Sequence, residues 1–256
     1  MYFLKIDSSV NGVSASLTLA VCILFGGFMG MLDDWIDLKW RYKAFMPLIA
    51  ALPLMYYALS NSETVRTSIS LPLIGTINFG NTYYFLIIPL TVMVVTNAVN
   101  MLGGLNGLET VCPAIVMFGL MAISPEQAQI LMAGPLLFWL VLAYFNVRGK
   151  LFVGNTGSFA IGLTVTAFAV VTDLKSSLLI SIVPYIFNSA FILLSIFFIR
   201  HKANVVFDGN RLISDHRRSL ITLITYKRPL TERQVVAIIS AIVAVFTALG
   251  IIYYLV

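Results

Sequence analysis

Long apolar runs separated by short polar stretches set the frame of this 256-residue chain. Eight windows approach the ~20 apolar residues that a helix needs to cross a bilayer. They lie at about 14–33, 44–60, 83–99, 109–124, 127–147, 156–173, 177–199 and 234–256. Several sit near the lower limit and are interrupted by Gly, Pro and Asn, the pattern of helices packed around a polar cavity. The predicted fold is therefore all-α, a polytopic membrane bundle of eight spanning helices in one domain, 1–256, with no internal repeat. The fourth and fifth helices should form a tight pair turning at Ser124-Pro125. Between the second and third, Thr67-Ser-Ile-Ser-Leu-Pro-Leu-Ile-Gly-Thr-Ile-Asn78 reads as a small external β-hairpin, because β-branched residues flank a central Leu-Pro-Leu-Ile-Gly.

Composition narrows the class. Hydrophobic residues make up 59% of the chain and charged residues 11%, with a mean hydropathy of +0.95. A soluble domain is roughly a quarter charged, so this is an integral membrane protein. The net charge of +5 has a topological meaning. If the segment after Asp34 is cytoplasmic, strict alternation puts Lys39, Arg41, Lys43, Arg148, Lys150 and everything from Arg200 to Arg233 on that side, 13 of the 16 basic residues. Lys5, Arg66 and Lys175 fall on the other, both termini are external, and the basic excess gives no reason to invoke nucleic acid. Cys22 and Cys112 lie in or beside predicted helices and read as packing residues, with neither a disulfide framework nor a metal site implied. The first window begins too late, and lacks a small-residue cleavage site, to be a removable signal peptide.

Polar residues that an apolar solvent would penalise mark the candidate chemistry. The richest stretch is Asn97-Ala-Val-Asn-Met-Leu-Gly-Gly-Leu-Asn-Gly-Leu-Glu109, with three Asn, three Gly and one Glu between two apolar runs. Its glycines allow a ligand to approach the backbone, its carboxamides offer donors and acceptors without net charge, and Asn97 and Asn100 share a helix face. A plain polar turn would account for the Gly pair and one Asn. The first predicted helix ends in Asp33-Asp34, two carboxylates that repel unless water, cations or a metal lie near. Lys39, Arg41 and Lys43 follow; Asp37, Lys39 and Arg41 read as an interfacial cluster that fixes topology. Gly154-Asn-Thr-Gly-Ser158, preceded by Arg148 and Lys150, opens a helix with backbone N–H groups and hydroxyls suited to an anion, while Asn155 offers an oxygen to a hard cation or a cap to the helix. Late in the chain, His216, Arg217 and Arg218 precede apolar Leu220, Ile221, Leu223 and Ile224, which predicts an interfacial helix with a basic patch. His201, between Arg200 and Lys202, is left to lipid headgroups.

On the alternation above, all four stretches emerge on one membrane face. Paired carboxylates, carboxamides, an anion-binding helix start and a basic loop are what a magnesium-dependent reaction between phosphates at a membrane surface requires. These residues resemble the polyprenyl-phosphate N-acetylhexosamine-1-phosphate transferases, most of all the dolichyl-phosphate N-acetylglucosamine-1-phosphate transferase branch. The likeness is carried by Leu-Asp33-Asp34, the Asn97–Glu109 pattern, Phe-Val-Gly-Asn-Thr-Gly-Ser158 and the late His216-Arg217, with Arg41, Lys43, Pro47 and Leu52-Pro53 in support. It runs from about residue 17 to 220.

The resemblance implies transfer of a sugar-1-phosphate from a UDP-sugar to a polyprenyl or dolichyl phosphate, with release of UMP. Asp33 and Asp34 match the family's paired aspartates and Lys43 its pyrophosphate-facing lysine, which makes these three the candidate catalytic residues. Asn97, Asn106 and Glu109, with the basic loop His216 and Arg217, are the candidate substrate-binding residues, Asn106 at the place near uracil. Asn100 and Asn155 are the candidate ligands of Mg²⁺, for which Mn²⁺ is a substitute. The implied partners are the UDP-sugar, the lipid phosphate and membrane lipids, with a homodimer compatible; the implied location is the plasma membrane of an archaeal-like prokaryote or the endoplasmic reticulum of a eukaryote. Two departures stand out. The family has ten spanning helices, two more at the N-terminus with a Lys/Gly-rich cytoplasmic loop, and it usually has an aspartate where this chain has Asn155. A catalytically silent relative that binds UDP-sugar or lipid is one alternative class. A transporter is another, although its polar residues would sit near mid-membrane instead of at one face.

Overall fold

The structure, a computed structural model, describes residues 13–199 and 205–256, so Lys5, Arg200, His201 and Lys202 lie outside the described residues. Helix α1 (Ala15–Ile36) starts at Ser14, whose hydroxyl accepts the Leu17 N–H, and ends at Asp37 in a left-handed turn. Helices α2 (Trp40–Ala50) and α3 (Leu52–Ser60) follow one another with Pro47 and Pro53 at the junction. Strands β1 (Ser68–Leu71) and β2 (Gly75–Asn78) pair antiparallel, Leu71 opposite Gly75, in the hairpin expected from the sequence. A short π-helical turn, Tyr83–Ile87, leads into α4 (Ile88–Met101). Then come α5 (Leu108–Ile123), α6 (Glu126–Asn146), α7 (Gly154–Val171), α8 (Lys175–Ser181) and α9 (Val183–Leu194). After the two-residue strands β3 (Val206–Phe207) and β4 (Leu212–Ile213) the chain closes with α10 (Leu220–Ile224) and α11 (Glu232–Leu255).

Helix α7 is the axis of the bundle, with two thirds of its span buried (67%). On one side it meets α1 through a small-xxx-small pair: a Cβ on Gly30 would stand 2.1 Å from the Asn155 carbonyl oxygen, and one on Gly26 2.8 Å from that of Phe159. On the other side Gly162 lies against Thr96 of α4, where a Cβ would be 2.7 Å from the Thr96 Cα. Backbones in lipid approach this closely only where side chains are absent, and van der Waals contact then replaces the hydrophobic drive that lipid cannot provide. This packing delivers the last turn of α1 and the last turn of α4 to the first turn of α7.

All eight apolar windows are helical, and six of them are by themselves long and apolar enough to cross a membrane among the described residues. Residues 175–198 make a seventh if α8 and its continuation, which bend by 54°, are taken as one span. Pro184 in the first turn of α9 cannot donate to the preceding turn, which accounts for the break. Helix α5 has 16 residues, held short by Gly107 at φ 94 before it and by extended Ser124 after it. The expected interfacial basic helix is corrected. His216 and Arg217 lie in a non-helical segment, and the helix is the five residues Leu220–Ile224, started by a capping box between Ser219 and Thr222.

Candidate active site

The first turn of α7 gathers the carboxylates. The chain enters the helix through Gly154 at φ 64 with Val153 as a cap that offers no side-chain oxygen. Asp34 supplies it from α1: its Oδ1 accepts the Asn155 N–H at 2.9 Å, and its Oδ2 accepts the Thr156 N–H at 2.8 Å and the Thr156 hydroxyl at 2.7 Å. The anion at this helix start is thus the chain's own, satisfying donors that a helix leaves unpaired. A Cβ at 154 would come within 2.9 Å of Asp34 Oδ2, so glycine lets the carboxylate in. Asn155 is the second residue of the helix and not its cap.

Asp33, one residue earlier, is buried at 4% exposure. Its Oδ1 accepts the Leu38 N–H at 3.2 Å, and its Oδ2 lies 2.5 Å from Lys43 Nζ, an ion-pair distance outside hydrogen-bond geometry. Lys43 Nζ donates instead to Asn155 Oδ1 at 2.7 Å, so one ammonium joins Asp33 to α7. From α4, Asn100 Oδ1 accepts the Ser158 hydroxyl at 2.7 Å. Asp33, Asp34, Lys43, Asn100 and Asn155, drawn from α1, α2, α4 and α7, therefore meet at a single helical turn.

The remaining candidates find partners elsewhere. Asn97 donates to the carbonyls of Ala44 at 3.0 Å and Met93 at 2.8 Å, bracing α4 against α2. Glu109 Oε1 accepts the Gly104 N–H at 3.0 Å and folds back over Gly103, where a Cβ would stand 2.0 Å from it. The Asn106 N–H donates to Glu232 at 2.6 Å, and its side chain borders a cavity of ≈ 490 Å³ shared with Arg148, Gly149, Glu232 and Arg233. His216 Nδ1 pairs with the Asp215 carboxylate, and this hydrogen bond holds the Asp215 carboxyl below its ordinary range. The Arg217 guanidinium stacks 4.2 Å over the Tyr226 ring.

Two residues that organise this region were not singled out from the sequence. Asn188, 2% exposed, donates to the Met101 carbonyl at 3.0 Å and accepts the Leu220 N–H at 2.9 Å, so it ties the segment after His216-Arg217 to the residue beside Asn100. Asn146, also 2% exposed, accepts the Gly107 N–H at 2.7 Å and donates to the Leu151 carbonyl at 2.8 Å, joining the Gly-rich turn to the approach to α7. A lone carboxamide inside an apolar window was the available signal, because burial there demands partners.

The donor set suits a hard cation. Each side chain at the turn besides Lys43 can offer an oxygen to a cation, and Asp33 Oδ2 is buried and held only by the Lys43 ion pair. Among the described residues no group of three His, Cys, Asp or Glu comes together, so carboxamide oxygens would have to complete the set.

Comparison with known proteins identifies the family. The family model described as Glycosyl transferase family 4 matches residues 16–173, more than half of the chain. The chain belongs to this family. The matched stretch contains all five residues of the α7 turn and ends before Asn188 and His216. A Saccharolobus solfataricus protein provisionally named UDP-N-acetylglucosamine–dolichyl-phosphate N-acetylglucosaminephosphotransferase is 33% identical over 240 residues, 88% of this chain and 70% of that protein. The Schizosaccharomyces pombe protein of the same name is 28% identical over 203 residues, 70% of this chain and 44% of its own length. A phospho-N-acetylmuramoyl-pentapeptide-transferase of Clostridioides difficile is 31% identical over 180 residues, covering 65% and 55%. The chain thus spans between 44% and 70% of the length of these relatives.

Proposed function

We propose that this chain transfers N-acetylglucosamine-1-phosphate, or a related N-acetylhexosamine phosphate, from its UDP-sugar to a polyprenyl or dolichyl phosphate, releasing UMP in the first step of lipid-linked glycan assembly. The observation that carries the proposal is the meeting of Asp33, Asp34, Lys43, Asn100 and Asn155 at the first turn of α7, inside the stretch matched by family 4. The names of the archaeal and yeast relatives support the same donor and acceptor. In this reading all eight apolar helices span the membrane, and the loops at about 35–43, 100–108, 148–155 and 200–233 share its cytoplasmic face, as the 13-to-3 distribution of basic residues favours.

The chemistry is a displacement between anions. The donor pyrophosphate carries about −2 and the acceptor phosphomonoester about −1.5 to −2 at neutral pH, so screening and alignment are the main tasks. An acceptor oxygen forms the new bond to the sugar-linked phosphorus, and the bond from that phosphorus to UMP breaks, UMP leaving with the electron pair. Because the acceptor is already mostly a dianion, it needs little help from a base. Asp34 is committed to α7, and its task is to hold the Asn155 and Thr156 backbone in place. Asp33, whose Oδ2 is held by the Lys43 ion pair alone, is the group that orders the acceptor or takes its residual proton once the donor draws Lys43 away. Lys43 is the cation available to the donor pyrophosphate, which would draw it from Asp33 and Asn155. Magnesium, held by Asp33 with the carboxamides of Asn100 and Asn155, would supply further charge screening between the phosphates.

Purified protein, UDP-N-acetylglucosamine, a polyprenyl phosphate and magnesium should together release UMP, with none formed when the lipid phosphate or magnesium is omitted. A panel of UDP-sugars then sets the sugar preference. Tight UDP-sugar binding with no UMP release under any of these conditions would make the chain a silent member of family 4 and overturn the proposal.

A further inference from the structure

At the far end of α7 from the Asp33 cluster, 18 residues or about 27 Å along the helix, the hairpin and the ends of α7 and α11 enclose a second site. A cavity of ≈ 600 Å³ is lined by polar groups that include Thr64, Arg66, Ser70, Asp173, Lys175 and Ser177. Beside it, a cavity of ≈ 760 Å³ between the hairpin tip, α8–α9 and α11 is walled by apolar side chains such as Ile74, Val183, Ile186, Leu249 and Ile252. Tyr253 and Val256 belong to both walls, so the two adjoin as one groove, polar at its end and apolar along the helices.

The polar end is under-satisfied. Lys175, 5% exposed, is fully engaged: its Nζ lies 2.5 Å from Asp173 Oδ1, donates to the Arg66 carbonyl and sits 4.6 Å from the Tyr83 ring centroid. It neutralises Asp173. Arg66 touches Asp173 only at 3.6 Å through Nε, and its side chain is 80% exposed, which leaves most of its five N–H donors uncommitted and open to an anion. Ser177 is 2% exposed, and its hydroxyl has no hydrogen-bond partner in the protein. A buried hydroxyl is rarely left so, because the lost bond to water costs about 1–3 kcal/mol. The wall behind it is firm: a Cβ on Gly250 would stand 2.8 Å from the Ser177 carbonyl oxygen, so α8 and α11 meet backbone to backbone.

We infer that this groove holds a membrane lipid with a phosphate headgroup, in the leaflet opposite the Asp33 cluster. Its phosphate meets Arg66, and its chain lies along α9 and α11. A small soluble anion would use only the polar end. A neutral lipid would use only the apolar part. Joining the two selects an anionic amphiphile, and the position of Tyr253 and Tyr254 in the last turn of α11, where interfacial aromatics sit, sets the headgroup at the level of the membrane surface. This site is separate from the one that handles the sugar donor, and it does not depend on the reaction proposed for that one.

The test uses the delipidated protein in detergent and three probes: phosphatidylglycerol, diacylglycerol with the same chains, and inorganic phosphate. Native mass spectrometry counts the retained lipid, and thermal unfolding reads the stabilisation that a ligand of the folded state confers. Phosphatidylglycerol should saturate at one lipid per chain and raise Tm, and neither other probe should. Arg66→Gln should weaken its binding about fivefold, the contribution of one cation near an anionic surface. Leu249→Trp, which fills the apolar part, should abolish retention, while Leu137→Trp on the exposed face of α6 should leave it unchanged. Equal stabilisation by diacylglycerol, or by phosphate alone, would overturn the inference in favour of unspecific apolar contact or a plain anion site. So would phosphatidylglycerol binding that Arg66→Gln does not weaken, a result that stands even if Leu249→Trp fails to fold.

Discussion

Asp33 and Asp34 are neighbours in the chain with different surroundings, and their variants should separate. Asp34 accepts three hydrogen bonds from the first turn of α7, so Asp34→Asn turns one acceptor into a donor facing N–H groups and should cost about 1–3 kcal/mol of stability as well as turnover. Asp33 has one backbone hydrogen bond and a lysine that keeps Asn155 as a partner, so Asp33→Asn should lower turnover by orders of magnitude with a smaller loss of Tm. Equal Tm losses would make both residues structural. Asn155→Asp should lower the magnesium concentration for half-maximal UMP release several-fold, since a carboxylate adds the charge that the amide lacks. An unchanged midpoint would remove Asn155 from the metal site. Each of these residues was legible in the sequence as a polar group out of place in an apolar chain. That Asp34 would be the anion seated on α7 was not, because donor and acceptor stand 121 positions apart and local pattern carries no information on such pairings. Asn146 and Asn188 escaped for the converse reason: each is a single carboxamide with no neighbours to form a motif.

At the scale of elements, hydrophobic patterning located every long helix, because length and apolarity are local properties. It did not locate the breaks between α2 and α3 or between α8 and α9, where prolines interrupt a continuous apolar run. Nor did it foresee the non-helical segment that carries His216 and Arg217, since apolar residues at helical spacing extend over too few positions to form more than one turn. The seat of the site is the α1–α7 contact. Gly30→Ala would put a methyl group 2.1 Å from a carbonyl oxygen, and thermal unfolding should show a loss of about 1–3 kcal/mol with a parallel fall in turnover. A neutral Gly30→Ala would mean that α1 and α7 do not touch there. Asn188→Leu strips partners from the Met101 carbonyl and the Leu220 N–H and should loosen the basic loop, raising KM for the UDP-sugar more than it lowers kcat. A fall in kcat at constant KM would place the effect of Asn188 on the α7 turn instead.

For the whole molecule, the proposed topology puts residues 104 and 210 on the cytoplasmic side. Single cysteines at these positions should resist a membrane-impermeant thiol reagent in intact cells and react once the membrane is opened; Cys22 and Cys112 are buried and should contribute little background. External labelling at either position would dismantle the shared face. The basic asymmetry is the sequence's argument for this topology, whereas the meeting of four helices at one turn required the packing of glycines against distant backbone. The central claim concerns the fate of one phosphorus atom, and it is tested most directly with UDP-N-acetylglucosamine labelled at the phosphate attached to the sugar. With polyprenyl phosphate and magnesium present, the account predicts that the label moves into the lipid phase in one-to-one ratio with UMP, and that Asp33→Asn abolishes the transfer. Label remaining in water-soluble UDP while the sugar moves to lipid, or no movement of either, would contradict it.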